Sequence, residues 1–393
     1  MKRLVALILI IFILLSLPIT TLGKEMKAPF GSYRKALPGY VYRFPRDHYA
    51  HTDYKTEWWY VTGHLKDANN HPYGYELTFF RVGTDATAAH RKAFKNSPWA
   101  LDTVYLAHAA LTDEDAPEAS QFTHATQLLR PAMGQAGSVA MGSNIPFKVW
   151  AKNWDFTQKA PTTKSSLTTF TMQANFPSKK SLRLTLTSTL PPVIHGINGV
   201  SQKAACVGCA SHYYSYTRMK AVGTVVSATS KGKPVAVSGT AWMDHEFGSN
   251  QLQANQVGWD WFALQLDNRQ DVMLYQMRLQ DGKKDPHSSG TVVASRGKST
   301  HLSEKDFVIT PLRYWKSPTT LAKYPAQWRV QVPQQQLDVT LTPVVANQEL
   351  GNKASAEGAY WEGKCRVKGT QFGKPITGQA YVELTGYAKR LSF

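Results

Sequence analysis

The 393-residue chain carries only three cysteines, Cys206, Cys209 and Cys365. An odd count leaves at least one thiol without a partner inside the chain. A zinc ribbon would need a second cysteine pair, and a redox C-x-x-C would open a helix after a strand. "AACVGCAS" instead sits in a small-residue loop before an aromatic strand, so a disulfide, local or long-range, or inert thiols are expected. Acidic residues are also few, 27 against 45 basic ones. Beyond Leu17 no apolar run is long enough to span a bilayer. Helical periodicity is scarce. G-x-S-x-G, a Gly-rich phosphate loop and H-E-x-x-H are all missing, which removes the usual serine-hydrolase, nucleotide and zinc-protease readings.

The first 23 residues form a different kind of segment. Lys2 and Arg3 precede an apolar run from Leu4 to Leu17, and Pro18 and small or polar residues follow. This is the pattern of a signal peptide, residues 1–23, cleaved after Gly23, and it predicts a periplasmic or secreted protein. Losing Lys2 and Arg3 takes the formal net charge from +18 to +16. So basic an exported protein is expected to adsorb to anionic envelope surfaces. The charges are scattered singly along strands and no nucleic-acid motif appears, so nucleic acid is not an expected partner.

Period-two segments recur from end to end. "SLTTFTMQANF", the turn "PSKK" and "SLRLTLTSTL" read as a hairpin with Leu182, Leu184, Leu186 and Leu190 on one face. "GWDWFALQL" with "DVMLYQMRL", and "EWWYVTGHL" with "YGYELTFFRV", read as two more. The fold class is therefore all-β, barrels or sandwiches. The loop "SATSKGKP", in the stretch around 221–233, suggests a boundary between a first unit, 24–222, and a second, 223–393.

Three stretches could carry chemistry. In "HTDYKTEWWYVTGHL", alternation groups Glu57 with Trp59 and Val61, opposite Trp58 and Tyr60. Glu57 could be a buried acid with a raised pKa, or a strand-start residue bonding backbone amides beside ring plugs; the latter is the stronger reading. His51-x-Asp53 lacks a third ligand at useful spacing, so no metal and no cofactor is expected. In "ASHYYSYTRM", His212, Tyr214, Tyr216 and Arg218 share a face opposite Tyr213, Ser215 and Thr217. In "GTAWMDHEFG", Gly239 to Gly248, Trp242, Asp244 and Glu246 share a face, and Met243 and His245 lie on the other. An acid beside an electron-rich ring suits protonation of an electron-rich substrate, with the ring facing the positive charge that develops.

These stretches, with "WALDTVYLAHAALTD", "PPVIHGINGVSQK" and "YWEG...GQAYVELTGY", run in order from about residue 48 to residue 387. Together they resemble the AttH-like proteins related to carotenoid 1,2-hydratase (hydroxyneurosporene synthase). The resemblance implies two lipocalin-like β-barrel domains packed together. It implies for the hydratase branch a cofactor-free and metal-free addition of water to a terminal double bond of acyclic carotenoids. Other members are described as secreted hydrolases, or as components encoded beside export-type ABC transporters. The hydratase branch carries its proton-donating aspartate in a Gly-x-x-Tyr-His-Asp-His-Asn-Trp-Gly-like strand. By resemblance Asp244 takes that place, with Trp242, Met243 and Glu246 for the family's Tyr, His and Asn, and His212 and Tyr214 match an upstream His-x-aromatic pair. The three departures make the chain more similar to the AttH-like branch than to the carotenoid enzymes.

Two functions follow as expectations. One is a hydratase or hydrolase of an apolar isoprenoid or acyl substrate, with Asp244, Trp242, His212 and Tyr214 catalytic and Glu246, Glu57, Trp59 and Tyr216 binding substrate. The other is a non-catalytic lipid carrier, or an accessory partner of an ABC-type exporter.

Overall fold

The computed structural model describes residues 33–84, 97, 102–160, 167–250, 252–351 and 358–390. The expected signal peptide lies outside them. The described residues contain strands and five 3-10 turns but no α-helix, and no helix among them is long and apolar enough to cross a membrane.

The strands form two antiparallel sheets that curl into barrel-like units. The first has Val235–Gly248 near its centre. Thr56–Asp67, Pro72–Gly83, Thr103–Asp113 and Phe122–Leu129 follow in order on one side, with Ala210–Val226, Ser181–Ser188 and Thr169–Asn175 on the other before three short strands. The second runs Ser299–Ser303, Ser289–Val293, Asp271–Leu279, Gln256–Leu266, Lys374–Leu384, Tyr360–Gln371, Leu337–Pro343, Lys323–Val332, Val308–Lys316. All three expected hairpins form. In one of them Leu182, Leu184 and Leu186 are buried while Arg183 is exposed; the strand stops at Ser188, so Leu190 lies beyond it.

The boundary is corrected by sheet membership. Val235–Gly248 pairs with Thr56–Asp67 on one side and with Ala210–Val226 on the other. Residues 221–233 thus fall within a hairpin of the first sheet, and the passage to the second sheet lies between Gly248 and Gln256. Gly239 is needed where this central strand approaches its neighbour, because a Cβ there would run into the His64 carbonyl.

Each sheet encloses its own core. In the first, Trp59, Phe79, Phe156, Phe170 and Tyr214 pack inward. In the second, Phe262, Trp328 and Trp361 do so. A third cluster, with Tyr60, Tyr213, Trp242, Trp261, Tyr275 and Tyr381, joins strands of both sheets. Burying a large apolar side chain contributes roughly 1.5–3 kcal/mol to folding, and contacts within this cluster tie the two sheets together.

Candidate active site

Residues directly opposite in an antiparallel ladder share a face of the sheet. Asp244 is opposite Tyr60 on one side and Ser215 on the other, and Glu246 is opposite Trp58 and Tyr213. The face carrying Asp244 therefore collects Tyr213 and Ser215, and it looks across the gap toward the second sheet. His245, opposite Trp59 and Tyr214, points instead into the first core.

A cleft opens on the Asp244 face between the sheets. The first sheet supplies Trp58, Tyr60, Tyr213, Asp244 and Glu246, and Lys203 comes from the loop after Ser201–Gln202. Trp259, Trp261, Tyr275 and Glu383 come from the second. The space free of atoms, a slot between the rings with its open mouth included, is about 650 Å³.

Asp244, 3 % exposed, lies on the floor of this slot. Its Oδ1 accepts from Trp242 Nε1 at 2.6 Å and from the Ser215 hydroxyl, and its Oδ2 accepts from Tyr213 OH at 2.7 Å. Trp261 Nε1 in turn donates to Tyr213 OH at 3.0 Å, so an indole of the second sheet steadies the group that holds the acid. Burial raises the Asp244 pKa, the three donors work against it, Glu246 adds to the rise, and the balance is pushed up to about 7. Buried carboxyls without a cation shift in this way because the charged form loses its hydration.

The other two acids of the cleft differ. Glu246 is committed to Lys203, whose Nζ lies 3.1 Å from Oε1. Burial presses the Lys203 pKa down, but Glu246 and Tyr275 outweigh it and the ammonium is favoured; it also sits over the Tyr275 ring at 3.9 Å. Glu383 accepts from Trp259 Nε1 at 2.8 Å, and burial together with Asp244 and Glu246 pushes it up to about 7. Two carboxyls able to hold or release a proton near neutrality thus line one aromatic slot from opposite sheets.

Five of the residues singled out from sequence lie elsewhere. Tyr214 OH is 2.7 Å from His48 Nδ1 and 3.1 Å from His245 Nδ1, inside the first core. Tyr216 donates to Thr168 at 2.9 Å. His212 is 2.8 Å from the Gly199 carbonyl, and its ring lies tilted against that of Tyr40 at 4.2 Å. Trp59 donates to the His48 carbonyl at 3.0 Å and lies over His245. Glu57 accepts the backbone N–H of His51 and the Arg81 guanidinium at 2.9 Å. All five are on the side of the sheet away from Asp244, because Asp244 is in register with Ser215. Trp242 shares the Asp244 face as expected, yet it holds the carboxylate by its N–H and does not line the cleft. Alternation also fails after Tyr216: a bulge between Tyr216 and Met219 lets adjacent Thr217 and Arg218 both reach Asp271.

The residues that sequence reasoning passed over are Tyr213, Ser215, Trp261, Lys203 and Glu383. For the first two the signal was present, since they form the opposite phase of the strand already singled out. Cys206 and Cys209 form a disulfide in the loop that follows Lys203, and Cys365 is a buried free thiol.

His51, Glu57 and His245 bring two imidazoles and a carboxylate within ligating reach of one another. Glu57 Oε1 lies 2.8 Å from His51 Nδ1 and 2.9 Å from His245 Nε2, and Arg81 closes Oε2. A cation would have to part these hydrogen bonds beside a guanidinium, so the donor set fits a neutralised polar cluster better than a metal.

The AttH-like family matches residues 35–387. The fold is also that of a crystal structure assigned as an AttH from Nitrosomonas europaea, at 30% identity, covering 90% of this chain and 99% of that one with a TM-score of 0.76. Kievitone hydratase from Nectria haematococca shares the fold at 16% identity, covering 92% of this chain and 98% of that one, with a TM-score of 0.65. A search of curated protein sequences gave no match.

Proposed function

The chain belongs to the AttH-like family, and from that premise we propose that the inter-sheet cleft is a hydratase-type active site. Its substrate is an apolar molecule with an electron-rich double bond, such as an isoprenoid or unsaturated acyl chain. The observation that carries this reading is Asp244: a buried carboxyl, pushed up to about 7, at the floor of an aromatic slot. A general acid works best when its pKa lies near the operating pH.

In the first step the Asp244 O–H gives its proton to one carbon of the double bond. The positive charge develops on the other carbon, where the faces of Trp58, Trp261 and Tyr60 favour a cation. A water oxygen then bonds to that carbon, and Glu383 takes the surplus proton. The sum is addition of one water once Glu383 releases the proton it took to solvent and Asp244 regains one from solvent. Glu246 and Lys203, paired with each other, orient a polar end of the substrate. The kinship in fold with an enzyme named as a hydratase supports this choice among acid-catalysed reactions. The reading also takes residues 1–23 as a signal peptide and the cell envelope as the place of action, and the Cys206–Cys209 disulfide supports an oxidising compartment.

The test is mass spectrometry of lipids that co-purify with wild type and with Asp244→Asn. Accumulation of an unsaturated compound in the variant, with its counterpart heavier by one water in the wild type, is the expected result. Identical bound lipids in both would overturn hydration and leave the carrier reading.

A further inference from the structure

Behind Asp244 runs a chain of buried groups that the hydration steps do not use. The Ser215 hydroxyl touches Asp244 Oδ1 and lies 2.7 Å from His195 Nε2. His195 Nδ1 is 2.8 Å from Thr291 Oγ1, on the second-sheet strand Ser289–Val293. Ser215, His195 and Thr291 are each 2 % exposed or less. The His195 backbone N–H is anchored on the Tyr213 carbonyl at 2.9 Å and its ring packs on the Tyr213 ring, so the chain is held in register with the acid.

His195 is neutral: burial, then Lys203 and His301, push its pKa down to about 3. A neutral imidazole has one N–H and one acceptor nitrogen, and each hydroxyl has one hydrogen to give. Only two arrangements therefore satisfy every link. With Asp244 ionised, Thr291 donates to Nδ1, Nε2–H to Ser215 and Ser215 to Asp244. With Asp244 protonated on Oδ1, every donor reverses and the imidazole takes the other tautomer. Any mixture sets two lone pairs or two hydrogens face to face in a dry interior.

We infer that Ser215, His195 and Thr291 form the path by which Asp244 exchanges its proton with the exterior, the His195 tautomer inverting as Asp244 ionises. On ionisation Asp244 passes its proton to Ser215 Oγ, Ser215 passes its own to Nε2, Nδ1–H passes to Thr291, and the Thr291 hydroxyl proton reaches water by way of the half-buried His301 opposite it. One proton enters the chain and one leaves, and Asp244 alone changes charge. The outer end has a second titratable group: Thr291 is directly opposite His301, a half-buried histidine whose Nδ1 has no hydrogen-bond partner among the described residues. The path bypasses the cleft, so Asp244 remains in exchange with water while an apolar molecule fills the slot. The charged and titratable groups facing this assembly are Lys203, Glu246 and Tyr213 from the first sheet, and Glu362, Glu383 and His301 from the second.

The inference rests on Asp244 being the proton-bearing acid, but its test needs no turnover. In the purified full chain, nitrogen-15 NMR of His195 and carbon-13 NMR of the Asp244 carboxyl are followed through neutral pH. The expected result is an exchange of the two ring-nitrogen shifts of His195 with the same midpoint as Asp244. Ser215→Ala should freeze the His195 tautomer and raise the Asp244 midpoint by about 1–2 pH units, since the anion loses a donor. Thr291→Val should freeze the tautomer while keeping the Asp244–Ser215 contact. A His195 tautomer that stays constant while wild-type Asp244 titrates would overturn the inference, as would inversion that survives Ser215→Ala. Failure here with hydration intact discards only the path; tautomer inversion without any hydrated product discards only the proposed function.

Discussion

At Asp244 two forces oppose each other, and their balance can be read in stability as well as in activity. Burial raises its pKa against three hydrogen-bond donors. A carboxyl whose folded pKa is raised contributes stability that is fully present below the unfolded pKa, near 4, and is lost as pH rises through the folded pKa, near 7. Above pH 7 the wild type therefore holds an ion it would rather not hold. Asp244→Asn removes that burden, so the variant is expected to melt higher than wild type at pH 8, by on the order of a few kcal/mol, and to differ less at pH 5. Urea melts at the two pH values check this; a variant equally destabilised at both would show that the carboxylate is held as a structural anion. Tyr213→Phe deletes one donor to the anion and should move the basic limb of the pH–rate profile upward by about 1 pH unit or more. A profile that keeps its midpoint would place the proton elsewhere.

For single strands, the sequence spoke clearly about alternation and not about which faces meet. The hairpins were legible because period-two patterns and polar turns are local. Asp244 and Trp242 were found as a pair for the same reason, and they touch. His212 and Tyr214 lie on the face away from Asp244, and the choice between them and Tyr213 with Ser215 depends on a register between strands some thirty residues apart. Both phases of "SHYYSY" contain tyrosine, so composition could not decide. Glu383 was out of reach altogether, since it enters the cleft from a strand of the other sheet. Glu57 ends in the first core with Arg81, where breaking a buried pair strands a charge. Arg81→Ala is expected to destabilise by about 3–5 kcal/mol while the folded fraction still binds a cleft ligand, measurable by tryptophan fluorescence titration. Selective loss of binding in a variant of undiminished stability would return Glu57 to the site.

Over the whole molecule, the cleft exists because two sheets are pressed together along a seam bridged by polar links. Tyr60 OH of the first sheet reaches Glu362 of the second at 2.5 Å, Thr240 reaches Gln265 at 2.7 Å, and Arg218 reaches Asp271 at 2.5 Å. Asp271 is buried, and burial still pushes it up to about 6 although Arg218, the next largest influence, pulls it down. Arg218→Ala should therefore raise the Asp271 pKa further. By the same linkage, a carboxyl raised in the folded state destabilises most where it is ionised. The variant is expected to lose about 2–3 kcal/mol at pH 8, toward the low end for a broken buried pair because Arg218 keeps some solvent contact. At pH 5, where Asp271 can stay protonated at little cost, the loss should shrink. Because Trp58, Trp259 and Trp261 flank the seam, their fluorescence and the far-ultraviolet signal of the sheets should fall in one transition in wild type. In Arg218→Ala at pH 8 the tryptophan change should come first if Arg218 and Asp271 hold the sheets in register. A variant whose two signals still coincide, with the same loss at both pH values, would locate the contribution of Arg218 within the first sheet instead.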